Sequence, residues 1–294
     1  MDDILPLLGI NIPYNERISQ INKMLNKQNY LELNLSVVST TLNYDKSSYD
    51  ITPKGLKNSK RNAKDGIVLF GYERKNNKSN DDNTNNALNN NLYNDEIGKD
   101  FLLNDFVFPI EDKEDNHSLY ELPNFAIFYN VEDGNYYIKD FNTGVGALMK
   151  IKKYKMEGNT LINIGGNYLV VYIENNKITV KIFNNSILEN TNNKEQNTII
   201  CDLKEFEVDI SKNFMLNIGR NQNCDIIIED MMLSKIQCRI EYSLNDKCFY
   251  LYDGDGKKES TNGTWVFILN PTKITNNFMF KAEHTLFVAN LNNK

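Results

Sequence analysis

Arg220, Ser234, Lys235, Thr261 and Asn262 are the residues of this sequence whose types and spacing best suit chemistry. They sit in short blocks, Ile218-Gly219-Arg220, Leu233-Ser234-Lys235 and Thr261-Asn262-Gly263-Thr264, with Asp225-Ile226-Ile227-Ile228 between the first two. A guanidinium offers a planar fork of donors, an ammonium a compact cation, and hydroxyls and an amide supply further short-range donors. Proton shuttling is poorly provided for, because the chain has only two histidines, His117 and His284. No G-x-S-x-G elbow, P-loop, H-E-x-x-H or kinase signature occurs. The residue types therefore point to binding and not to an enzyme.

Composition narrows the partner. The formal net charge of -6 and the sequence pI near 5.2 provide no basic footprint for nucleic acid. Cys201, Cys224, Cys238 and Cys248 show no zinc-knuckle spacing and are expected to be buried thiols, so no metal or other cofactor is expected. The opening Met1-Asp2-Asp3 is acidic where a secretory leader is basic, and no apolar run approaches a membrane span. An intracellular location, cytoplasm or nucleus, is the expectation. Lys54, Lys57, Lys60, Arg61 and Lys64 form a modest basic stretch that reads as a solvated loop.

The elements that must position the blocks are strands. Apolar residues Ile18, Ile21, Met24 and Leu25 recur at helical spacing and predict one short helix between Asn15 and Asn26. Beyond it, Leu31 to Val37 alternates strictly, and Phe125–Tyr129, Tyr168–Tyr172, Ile178–Ile182 and Asp225–Ile228 are further short β-rich runs between polar turns. Asn163-Ile164-Gly165-Gly166-Asn167 lacks G-x-G-x-x-G spacing and a following helix, so it reads as a turn between strands. Residues 76–94 and 184–197 are Asn-rich and have too little to bury to fold on their own. The pattern is all-β, a sandwich or barrel.

The chain also repeats itself. Tyr136–Asp140 corresponds to Phe249–Asp253, Phe125–Asn130 to Cys238–Ser243, and Leu69-Phe70-Gly71 to Asn217-Ile218-Gly219. The expected division is an N-terminal segment with a short helix (1–30), a first sandwich (31–175, with the 76–94 insertion) and a second (176–294, with the 184–197 loop). Only Asn175 to Lys177 would connect the two sandwiches.

The four ordered blocks between Ile218 and Thr264 resemble the signature of the forkhead-associated (FHA) domain family. The resemblance implies an eleven-stranded β-sandwich whose loops grip a phosphothreonine peptide, with tandem FHA-like sandwiches making up the fold. It implies that Arg220, Ser234, Lys235, Thr261 and Asn262 form the phosphopeptide contact set, Ser234 offering both its hydroxyl and its backbone amide. Gly219 and Gly263 would be structural. So would Gln237, which stands three residues after Ser234 where the family usually has a buried, loop-bracing histidine. A phosphothreonine carries close to two negative charges near neutral pH and three acceptor oxygens, which suits this donor set.

In the first copy the corresponding positions are Tyr72, Glu121, Leu122 and Val145. No phosphate clamp is expected there, and the first sandwich reads as a degenerate copy. The expected function is a phosphorylation-dependent adaptor for a phosphothreonine-containing protein, one peptide per chain. The alternative is a phosphate-independent scaffold that self-associates through the sandwich faces.

Overall fold

A computed structural model describes residues 4–26, 30–59, 61, 63–72, 104–109, 123–143, 146–174, 177–184 and 201–294. The Asn-rich runs 76–94 and 185–197 lie outside the described residues, as do His117, Glu121, Leu122 and Val145. The contacts divide the chain into a flanking unit, Met1–Ala147 with Ile268–Lys294, and a central unit, Leu148–Phe267.

The flanking unit begins with a single turn, α1 (Ile4–Leu7), and the expected helix, α2 (Tyr14–Leu25), which Pro13 precedes with a φ already suited to a helix start. The α1 residues Ile4 and Leu5, with Leu8, pack on Ile67, Leu69, Ala126 and Phe128. The buried face of α2 holds Ile21 and also Arg17, which apolar periodicity could not anticipate. Arg17 is buried because its donors are used: Nε bonds the Asp65 carbonyl at 2.7 Å and Nη2 the Tyr129 carbonyl at 2.6 Å.

Strands β1 (Leu31–Thr40), β2 (Ser48–Thr52), β3 (Gly55–Leu56), β4 (Ile67–Tyr72), β5 (Phe106–Phe108), β6 (Phe125–Asn130) and β7 (Asn135–Asp140) follow in this unit. The central unit holds β8 (Ala147–Ile151), β9 (Lys153–Met156), β10 (Thr160–Ile164), β11 (Asn167–Glu174), β12 (Lys177–Asn184), β13 (Cys201–Glu207), β14 (Phe214–Gly219), β15 (Ile226–Ile227), β16 (Cys238–Ser243), β17 (Cys248–Asp253) and β18 (Thr264–Phe267). The chain then returns to the flanking unit for β19 (Thr272–Lys273), β20 (Phe278–Ala282) and β21 (Thr285–Asn293). The protein is mostly β, with the expected strand runs inside β1, β6, β11 and β12 and around β15.

In the flanking unit the strand orders are β20-β21-β1-β2-β3 and β19-β7-β6-β4-β5. In the central unit they are β13-β12-β11-β10-β18-β8 and β15-β14-β16-β17-β9. The same pairings occur in both. β4 pairs β5 in parallel and β6 antiparallel, and β14 pairs β15 and β16 likewise. β6 pairs β7 as β16 pairs β17. The internal repeat seen in the sequence is thus a repeat of topology.

The closing strands are exchanged between the repeats. β7, from the first repeat, takes β19 as its neighbour, whereas β17, from the second, takes β9. β1 pairs β21 from Leu31↔Asn293 to Thr40↔Thr285, and β12 pairs β11 from Glu174↔Lys177 to Asn167↔Asn184. The boundary expected at 175/176 therefore falls within a hairpin of the central unit, and the contacts change unit at 147/148 and 267/268 instead. The physical reason is loop closure. With Glu174 and Lys177 in register, the least costly neighbour for β12 is the strand just before it, so the end of the first repeat closes the sandwich of the second.

Both cores fill by alternation. In the flanking unit Phe70 stacks on Phe125 at 4.3 Å and on Phe106 at 4.8 Å. Phe280 and Phe287 meet these rings at 5.8 and 5.9 Å, joining the two sheets. In the central unit Ile162, Leu169, Val171, Ile178 and Val180 on one sheet and Leu216, Ile218, Cys238, Ile240 and Leu251 on the other are all buried.

Candidate functional site

Three connections of the central unit carry the five residues singled out above. Arg220 opens the β14–β15 connection, Ser234 and Lys235 lie in the β15–β16 connection, and Thr261 and Asn262 precede β18. The first two connections are held close at Gly219, where an added Cβ would lie 2.4 Å from the Lys235 carbonyl. The Arg220 backbone amide bonds the Ser234 carbonyl at 3.3 Å, and the Asn221 amide bonds that of Lys235 at 3.1 Å.

The side chains tie the connections together. Arg220 Nε donates to the Leu233 carbonyl at 2.7 Å, which fixes the guanidinium plane; no bond of its two Nη nitrogens occurs among the described residues. Ser234 Oγ accepts the Thr261 amide at 2.9 Å and lies 3.3 Å from Thr261 Oγ1. Asn262 Nδ2 donates to the Met232 carbonyl at 2.7 Å, while its own backbone carbonyl accepts Trp265 Nε1 at 3.1 Å. That leaves Asn262 Oδ1 as an acceptor for a partner's N–H. Arg220, Lys235, Thr261 and Asn262 are exposed and Ser234 is half-buried. One expectation changes: the Ser234 backbone amide is committed to Gln237 Oε1 at 3.0 Å, so only its hydroxyl side faces the site chemistry.

Gln237 is wholly buried and fully used. Besides accepting from Ser234, its Nε2 donates to Ser260 Oγ at 2.8 Å and to the Gly263 carbonyl at 2.9 Å. One amide thus bridges the β15–β16 and β17–β18 connections, the bracing role that a histidine has in the resemblance. Asp253 supports it from below, accepting Ser260 Oγ at 2.6 Å and Thr264 Oγ1 at 2.7 Å. Gly263 adopts a φ of +77°, which lets the chain turn into β18. Sequence reading missed Asp253 and Ser260, which lie at the two ends of the short loop they close.

The corresponding place in the flanking unit is filled from within. Tyr72 Oη donates to Glu283 Oε2 at 2.7 Å and Asn124 Nδ2 to Glu283 Oε1 at 2.5 Å. The position that corresponds to Arg220 thus holds a tyrosine bonded to a carboxylate, a charge that opposes a phosphate.

Cys224 and Cys238 are buried free thiols and Cys248 is half-buried. Burial pushes the Cys238 thiol well above its ordinary range and raises that of Cys224. Among the described residues no cluster of three or more His, Cys, Asp or Glu could hold a metal ion, and no helix is long and apolar enough to cross a membrane.

A β-sandwich that gathers a cation, hydroxyls and an amide on adjoining loops defines a class of recognition module for anionic peptides. Residues 216–283 match the family model of the FHA domain, so the C-terminal part of the chain carries an FHA domain, a phosphopeptide-binding, protein-interaction module. The match includes every residue of the contact set and runs on past Phe267 into β19 and β20, which fold into the flanking unit. Comparison with curated proteins and with solved structures returned no match.

Proposed function

We propose that the protein is a phosphorylation-dependent adaptor that holds a phosphothreonine segment of a partner protein on the central unit. The observation that carries this reading is the gathering of Arg220, Asn262 and Thr261 on the Met232–Ser234 segment, through bonds to the Leu233 carbonyl, the Met232 carbonyl and Ser234 Oγ, braced by Gln237. The Arg220 Nη groups and Lys235 supply the charge, the Ser234 and Thr261 hydroxyls complete the phosphate shell, and Asn262 Oδ1 accepts from the peptide backbone. The protein contributes no catalytic step; its task is to bring the phosphorylated partner together with whatever the rest of the chain contacts. The flanking unit, with Glu283 on Tyr72 and Asn124, is a structural copy, giving one phosphopeptide per chain.

Calorimetry with a degenerate phosphothreonine peptide pool tests the reading. Binding that is lost on dephosphorylation and on Arg220→Ala is the expected result. Equal binding of the unphosphorylated pool would overturn it in favour of a phosphate-independent scaffold.

A further inference from the structure

Two asparagines of the first repeat lie against the site of the second. β10 and β11 belong to the first repeat but close the central unit, and the turn between them, Asn163 to Asn167, meets the Asp230–Leu233 segment that leads into Ser234. Asn167 Nδ2 donates to Asp230 Oδ2 at 2.6 Å. The other carboxylate oxygen, Asp230 Oδ1, accepts the Met232 backbone amide at 2.8 Å. The turn itself is rigid, with Asn163 Nδ2 bonding the Asn167 carbonyl at 3.2 Å. Contact continues at Gly165, where an added Cβ would lie 2.9 Å from Asp230 Oδ2 and 3.1 Å from Leu233 Cδ2.

What Asp230 holds is what the site residues hold. The Met232 carbonyl receives Asn262 Nδ2 at 2.7 Å, and the Leu233 carbonyl receives Arg220 Nε at 2.7 Å. The segment 230–233 is therefore the shared support of the guanidinium and of the amide that faces the peptide. Asn167 is buried and Asp230 half-buried, so the bond between them is partly shielded from competition by water.

We propose that Asn167 and Asp230 are positioning residues of the phosphopeptide site, so that the FHA site of the second repeat is completed by a hairpin of the first. The inference rests on the reading of that site given above. The flanking unit provides independent support, because there the β20–β21 turn of the second repeat meets the end of β4 in the first, through Glu283 on Tyr72 and Asn124. Each sandwich thus has its loop end set by the other repeat. The carboxylate lies on the loop in one unit and on the hairpin in the other.

Reversing the polarity of the bond in the full chain tests this. Asn167→Asp puts two carboxylates face to face and releases the segment. Adding Asp230→Asn restores one donor and one acceptor, and the carboxamide oxygen it introduces can still accept the Met232 amide. Two readouts separate the possibilities: amide hydrogen exchange at Met232 and Leu233, and affinity for the phosphothreonine peptide pool. N167D is expected to speed exchange at Met232 and weaken peptide binding, each by about tenfold or more, with exchange in β16 and β17 unchanged. The double variant is expected to recover most of both. Wild-type exchange at Met232 in N167D, or a double variant no better than N167D, would overturn the positioning role. If exchange responds as expected while the wild-type chain binds no phosphopeptide, the positioning role stands and the assignment of the site falls.

Discussion

Replacing Gln237 with leucine removes the bracing amide while keeping roughly its volume. Three hydrogen bonds disappear: Ser234 N–H to Oε1, and Nε2 to Ser260 Oγ and to the Gly263 carbonyl. Ser260 Oγ keeps Asp253 as a partner, so the groups left without one are the Ser234 amide and the Gly263 carbonyl. Each orphaned buried group costs about 1–3 kcal/mol, and the half-buried Ser234 lies at the low end, giving about 2–4 kcal/mol in all. Trp265 is the only tryptophan, is buried in the central unit and bonds the Asn262 carbonyl, so its fluorescence reports on this part of the fold. With a urea dependence of about 2 kcal/mol per molar, the middle of the usual range, the Trp265 transition should move down by roughly 1–2 M in Q237L. Phosphopeptide affinity should fall with it, because the loops carrying Ser234 and Thr261 lose their common tether. A transition midpoint and an affinity both at wild-type values would refute the bracing argument.

Other outcomes follow from the same geometry. Arg220→Ala should weaken phosphothreonine peptide binding by on the order of 100-fold, the loss of charge-assisted bonds worth about 3 kcal/mol, while moving the Trp265 transition less than Q237L does, since only the bond to the Leu233 carbonyl is lost from the fold; calorimetry and urea unfolding read the two effects separately. A fragment spanning residues 147–267 holds every strand of the central unit and should unfold cooperatively, whereas 177–294 lacks β8 to β11 and should not; circular dichroism on the two fragments decides between exchanged and tandem sandwiches. A thiol reagent near neutral pH should label Cys248 well before Cys224 or Cys238, whose thiols burial keeps protonated; prompt labelling of Cys238 in folded protein, read by peptide mass spectrometry, would contradict its placement.

The candidate site was legible as four short contiguous blocks that resemble a family signature, and the structure brings the blocks onto adjoining connections. The strand runs were legible by alternation, and the repeat by direct comparison of the two halves. The exchange was not legible, and for a physical reason. β9 and β19 each present a short strand suitable for the edge of β7 or of β17, and alternation is the same whichever is chosen. What distinguishes them is cross-strand chemistry visible only once they are paired. Lys153 of β9 lies over the Tyr250 ring at 3.8 Å, while Lys273 of β19 stands 3.9 Å from Asp133. Buried polar bracing escapes sequence reading too, since Arg17 and Asp253 look like surface residues until their partners are found.

The exchange of closing strands also fixes an order of assembly during synthesis. Every strand of the central unit has left the ribosome once Phe267 emerges, and its most distant pairing, Leu148 with Phe267, is then available. The flanking unit starts first but must wait, because Leu31 pairs with Asn293 and β7 with β19. Closing so long a loop is slow, and until it happens β1 and β7 expose open sheet edges that invite wrong partners. The repeat encoded second is therefore expected to mature first, a sequence of events that protease protection of stalled nascent chains of increasing length would reveal.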